Sequence, residues 1–135
     1  MAAADARTQA LIEIWNSAVA AVSGYAAVKN KLSADGDFNP ELVIAVGKAA
    51  VGMCHGALDN LPPCEALIVT KYDHADENSV ARAGVKVIEA GHPIPDQRSL
   101  DAGRALLDRM RAMPADSRVL LLVSGGASAL AEALP

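Results

Sequence analysis

Leu42-Val43-Ile44-Ala45-Val46-Gly47-Lys48-Ala49-Ala50 carries a short apolar run through a glycine and a lysine into the start of a helical pattern. An unbroken run of this kind is expected of a strand covered on both faces. The same step recurs three times: Leu67 to Thr70 runs into Lys71, Val85 to Ile88 into Gly91-His92, and Val119 to Val123 into Ser124-Gly125-Gly126. If the four runs are parallel strands, all four steps fall on one edge of one sheet, the edge where open α/β folds bind ligands.

Working outward, Leu11, Ile14, Trp15, Ala18 and Val22 recur at helical spacing within Asp5 to Val22, with Gly24 as a stop. Tyr25 to Pro40 holds Asn30, Asp35-Gly36-Asp37 and Asn39-Pro40, turn formers with little periodicity, and reads as a loop. Ala49, Ala50, Met53, Ala57 and Leu58 mark a helix ended by Pro62-Pro63, on which Gly52 and Gly56 predict close approach to the sheet. Ala66 to Thr70 is the second strand. Lys71 to Ala83 is long enough for a crossover but has no helical stripe, so it stays unassigned.

Leu100, Leu106, Leu107, Met110 and Met113 form a further helical stripe ending near Pro114, with Asp96 or Ser99 placed to cap it. Met53, Met110 and Met113 read as core filler. After the fourth strand, Ser128 to Leu134 begins another helix. The order predicts an α/β fold, Rossmann-like and three-layered, with a mostly parallel sheet and right-handed crossovers.

At 135 residues the chain fits one domain able to bury a core without staples. A formal charge of -4 with no Lys/Arg cluster argues against a general nucleic-acid surface. Cys54 and Cys64 form neither a disulfide framework nor a CxxC motif, which points to a reducing cytoplasm. Asp5 and Glu13 interrupt any signal core, and no later run approaches a membrane span, so a soluble, unexported protein is expected.

The steps carry the chemistry. Ser124-Gly125-Gly126-Ala127-Ser128-Ala129 joins a strand end, two glycines and a helix start, so backbone N–H groups can converge on an anion. A tight turn with a serine cap is the alternative. Gly47-Lys48 is neither the GxxxxGK[ST] phosphate loop nor GxGxxG; alone, Lys48 reads as a solvated lysine, although it can reach a phosphate as a point charge. In Gly91-His92-Pro93-Ile94-Pro95-Asp96 two prolines stiffen a segment carrying an imidazole and a carboxylate, suited to proton transfer or to a structural turn. Lys71, Tyr72, Asp73 and His74 share the same edge; a metal site from Asp73 and His74 is conceivable, and a hydrated loop is the simpler reading.

Together, Gly47-Lys48-Ala49-Ala50, Gly91 to Leu100 and Leu122 to Leu130 resemble the N-terminal portion of the class II glycerate kinases. This is the glycerate 2-kinase family with a MOFRL domain, some of whose members are labelled hydroxypyruvate reductases. The match runs from about Thr8 to the end. The resemblance implies ATP-dependent phosphorylation of the 2-hydroxyl of D-glycerate with a divalent metal, magnesium. It implies Lys48 as the active-site lysine and Gly47 with Ser124, Gly125, Gly126, Ala127, Ser128 and Ala129 near substrate and nucleotide phosphates. His92, Asp96 and Ser99 belong to the matching motif, without assigned roles, and no metal ligands are implied. On this resemblance residues 1–135 are expected to be a truncated part of a larger domain, without the MOFRL domain. Three rivals stand beside the kinase: a non-catalytic anion-binding or interaction module, a hydroxypyruvate reductase, disfavoured for want of GxGxxG, and a structural subunit or homo-oligomer pairing through an exposed edge.

Overall fold

The computed structural model describes residues 2–36 and 38–134, so Asp37 in the expected loop and Pro135 at the end lie outside the described residues. The elements run α1 (Ala2–Ala21), α2 (Gly24–Asp35), β1 (Leu42–Val46), α3 (Ala50–Leu58), β2 (Glu65–Lys71), α4 (Glu77–Ala81), β3 (Val85–Ala90), α5 (Gln97–Arg111), β4 (Val119–Val123) and α6 (Ala127–Leu130). The four strands form one sheet in the order β3-β2-β1-β4, with every pairing parallel.

This order explains the layers. From β1 the chain steps through α3, β2 and α4 to β3 at one edge; α5 then carries it back past β1 to the opposite edge. Right-handed crossovers that reverse direction must cover opposite faces. Accordingly α2 and α3 pack Val28, Cys54, Ala57 and Leu58 on Val43, Ala45, Ala66 and Ile68. On the other face Ala102 of α5 and Leu130 of α6 meet Leu42, Ile44, Val46, Leu67 and Val69. β1, flanked on both edges, is buried throughout, as its run of β-branched residues requires. At the β4 edge Leu121 and Val123 are both 57% exposed.

The structure corrects four readings. Tyr25 to Pro40 is mostly helix: the Ser23 side chain accepts from Ala26 N–H and starts α2, whose Val28 and Leu32 join the core. Tertiary packing outweighs the turn propensity of Asn30 there. Gly52 and Gly56 face α2 instead of the sheet, since a Cβ on Gly56 would lie 2.5 Å from the Tyr25 carbonyl oxygen. α5 turns Ser99, Ala102 and Gly103 inward, and of its large stripe Leu106 and Met113 pack partly buried against the core while Leu107 and Met110 are exposed, so Met110 is not core filler. The cause is the chain after α6, whose Glu132 carbonyl lies 1.9 Å from where a Cβ on Gly103 would be. The last helix ends at Leu130, with Ala131 already extended. The apolar stripe of α1 is real but uncovered, with Leu11, Ile14, Trp15 and Val22 at least 66% exposed.

The unassigned 71–83 connection contains α4, capped by Asp76. No single described helix is long and apolar enough to cross a membrane; only α1 and α2 taken together, bent by 49°, meet that length and composition.

Candidate functional site

β1 and β4 are neighbours reached in opposite directions, so the topological switch point lies between their carboxyl ends. Hydrogen bonds lace the two turns there. Ser124 N–H donates to Val46 O at 2.9 Å, Lys48 N–H to Gly125 O at 3.0 Å, and Ala49 N–H to Ser124 Oγ at 3.1 Å. The Ser124 hydroxyl in turn donates to Val46 O at 3.4 Å. Gly47 makes this contact possible: its φ is +125°, and a Cβ would lie 2.2 Å from Ser124 Oγ. Ser124 is thus a scaffold residue whose donor is committed, a role the strand-end motif did not distinguish from ligand binding.

What stays free lies just above the lacing. Lys48 is exposed and forms no ion pair among the described residues. Its chain runs along the glycines, with Cε 3.7 Å from a Cβ position on Gly125 and Cγ 3.5 Å from one on Gly126. Gly126 has φ +90° and caps α6 without a side-chain hydrogen bond. Ala127 and Ser128 follow in that uncapped turn, while Ala129 N–H donates to Gly126 O at 3.2 Å. Thr70 Oγ1, at the carboxyl end of β2, is buried without a partner.

His92 completes the cluster. Its Nε2 lies 2.7 Å from where a Cβ on Gly126 would sit, so only glycine admits the ring. Lys48, His92 and Gly126 come from three separate motifs and meet here.

Asp96 and Ser99 do different work. Asp96 is the N-cap of α5 in a capping box: its carboxylate accepts from Ser99 N–H at 3.1 Å, and Ser99 Oγ accepts from Asp96 N–H at 3.2 Å. The carboxylate also accepts from Gly91 N–H at 3.2 Å and from the Tyr72 hydroxyl at 2.7 Å. The Tyr72 bond is the main reason the Asp96 carboxyl lies below the ordinary aspartate range, and the same bond raises the Tyr72 phenol. The sequence places Tyr72 on this edge but gives it no role, since nothing in its spacing ties it to Asp96. Its neighbour Asp73 takes φ +61°, which lets His74 and Ala75 N–H both donate to Glu89 Oε1 at 3.0 and 2.9 Å. The 71–74 segment is therefore an ordered turn. Among the described residues no group of three His, Cys, Asp or Glu could hold a metal ion.

Residues 10–135 match the family described as a domain of unknown function, DUF4147. The chain belongs to this family. A glycerate 2-kinase of Pyrococcus horikoshii is 41% identical over 90 residues, covering 67% of this chain and 20% of that protein. A D-glycerate 2-kinase of Thermotoga maritima is 34% identical over 123 residues, 90% of this chain and 28% of its own length. A putative hydroxypyruvate reductase of Agrobacterium vitis is 32% identical over 131 residues, covering 90% of this chain and 27% of that protein. The crystal structure of a Thermotoga maritima glycerate kinase superposes with a TM-score of 0.78 at 30% identity, over 96% of this chain and 31% of that one. The DUF4147 chain therefore spans under a third of the length of these relatives, as an N-terminal portion of a glycerate kinase does.

Proposed function

We propose that this DUF4147 chain supplies the lysine-bearing wall of an ATP-dependent glycerate 2-kinase, which transfers a phosphoryl group to the 2-hydroxyl of D-glycerate. The observation that carries the reading is the unpaired Lys48 amine beside the Gly125-Gly126 turn and His92, at the switch point of the sheet. Phosphoryl transfer asks a protein for positioning and charge neutralisation more than for covalent chemistry. The Lys48 ammonium neutralises charge on the transferred group. Gly126 admits the His92 ring beside the lysine, and Ser124 keeps the two turns in register.

ATP supplies the phosphoryl group, and the free amine with the uncapped turn suits its anionic part. The described residues offer no comparable group for magnesium, so no step is assigned to it. Two free cysteines suit a reducing cytoplasm, and the charge balance suits a small-molecule substrate over nucleic acid.

A second reading has its own support: with under a third of the relatives' length, the chain alone is an anion-binding module without turnover. Calorimetry of the chain with ATP-Mg and with D-glycerate, beside a coupled kinase assay, separates the two. Binding that falls tenfold or more in Lys48→Ala, as expected for loss of a charged contact, supports the site. Turnover selects the kinase, and if the chain binds without turnover, Lys48→Ala in the full-length enzyme decides: loss of turnover supports the kinase wall, and near-normal turnover selects the module. Binding indifferent to Lys48, or oxidation of a nicotinamide cofactor by hydroxypyruvate, overturns both.

A further inference from the structure

His92 lies two residues beyond β3, at one edge of the sheet, yet its ring rests on the turn after β4, at the other edge. Three strand spacings separate those edges, about 14 Å. The glycine turn leans back toward β1, since Lys48 N–H donates to Gly125 O at 3.0 Å and the Lys48 chain lies against Gly126, and the His92 ring meets it there from the β3 side. The path of residues 91–96 therefore sets where the ring lies.

That path is held from two sides. Within the segment, Gly91 N–H closes onto Asp96, and a Cβ on Gly91 would lie 2.6 Å from the Ile94 carbonyl oxygen and 3.0 Å from Asp96 Cγ. From outside, among the described residues only the Tyr72 hydroxyl, on the turn after β2, reaches Asp96 from another strand end. β2 lies between β3 and β1 in the sheet, so this bond pins the arch partway along its span.

We infer that Tyr72 is a positioning residue: its bond to Asp96 holds the 91–96 arch so that His92 stands against Gly126 beside Lys48, where the two basic side chains face one phosphate-like ligand. The inference rests on the anion-site reading for the ligand, whereas the strap itself is a property of the free protein. Each half has its own measurement.

The strap is tested by NMR on the full 135-residue chain. Contacts between the His92 ring and the Gly126 α-protons are expected in the unmodified protein and lost in Tyr72→Phe. Amide protection of α5 stays unchanged, because Asp96 keeps its bonds to Gly91 and Ser99. Contacts absent from the unmodified protein, or unaltered in Tyr72→Phe, overturn the strap.

The ligand half uses inorganic phosphate and ATP as probes. Tyr72→Phe is expected to weaken binding roughly tenfold, by loss of one orienting hydrogen bond. Because Tyr72 acts through His92, the Tyr72→Phe/His92→Asn double variant should lose no more than His92→Asn alone. Additive losses, or unchanged affinity once the ring contact is gone, overturn the positioning role. An unmodified chain that binds neither probe rejects the anion site itself, and the NMR contacts then decide the strap alone.

Discussion

The carboxyl rim and the junction between α3 and α4 both combine a serine, a histidine and a third polar residue, but they spend them differently. At the junction Ser79 is fully buried; its N–H and its hydroxyl both donate to Asp76 Oδ1, at 2.7 and 2.5 Å. Its single hydrogen being committed, Ser79 Oγ accepts from Nε2–H of His55 at 2.8 Å. Asp76 therefore approaches the same side of the imidazole as the serine, at 4.0 Å, and no proton relay can run from serine through histidine to aspartate. A second lock follows, with Arg82 donating to Asp59 and to Leu58 O and the Tyr25 hydroxyl also donating to Asp59. At the rim, hydrogen bonds lace the backbone turns and leave the Lys48 amine and the His92 ring projecting. The difference teaches that residue types alone do not make a site. What matters is which donors remain after the fold has taken its share.

The largest expected effect breaks the rim. Gly47→Ala forces a side chain at φ +125° into Ser124 Oγ and should cost about 3 kcal/mol in urea unfolding, whereas Lys48→Ala should change stability by no more than about 0.5 kcal/mol. Next, Ser79→Ala leaves the His55 N–H without its buried acceptor and should cost about 1–2 kcal/mol without altering ATP or phosphate affinity. A drop in affinity would show that the two regions are coupled.

A smaller effect is set by pH and spans both regions, since Asp96 at the rim is lowered as well. Asp59 and Asp76 both titrate below the ordinary aspartate value, Asp59 chiefly through its hydrogen bond from Arg82 and Asp76 chiefly through the Ser79 hydroxyl. Such groups bind a proton more readily when unfolded, so their stability is present above about pH 4 and lost as the pH falls through the lowered folded values. Thermal melts should weaken over that acid window, and less so in Asp76→Asn. The smallest effect concerns Cys54, whose thiol burial pushes up to about 12. At neutral pH the more exposed Cys64 should react with an alkylating reagent well before Cys54, and Ser79→Ala should narrow the gap by loosening α4 from α3.

Much of the fold was legible because its signals are local. Val43-Ile44-Ala45-Val46 read as a buried strand and Val119 to Val123 as a strand from their apolar β-branched and leucine runs, although β4 proves to be a half-exposed edge, and Asp96 or Ser99 was placed to cap α5. α2 was hidden because its Asn and Asp residues argue for turns while only Val28 and Leu32 pack inward. The inner face of α5 was hidden because small residues, not the large stripe, meet the chain after α6.

At the site, strand-end positions placed Lys48, His92 and the Ser124-Gly125-Gly126 turn on one rim, since a parallel sheet gathers all its strand exits there, while residue type alone read Lys48 as solvated and only the family resemblance gave it a role. Their convergence needed the order β3-β2-β1-β4, which sends β4 back beside β1. The commitment of Ser124 to the backbone and the reach of Tyr72 to Asp96 are long-range hydrogen bonds between residues 78 and 24 positions apart. Local propensity and periodicity decide which segments become strands and helices. Which polar groups stay free for a ligand is settled only when distant turns have met and satisfied one another.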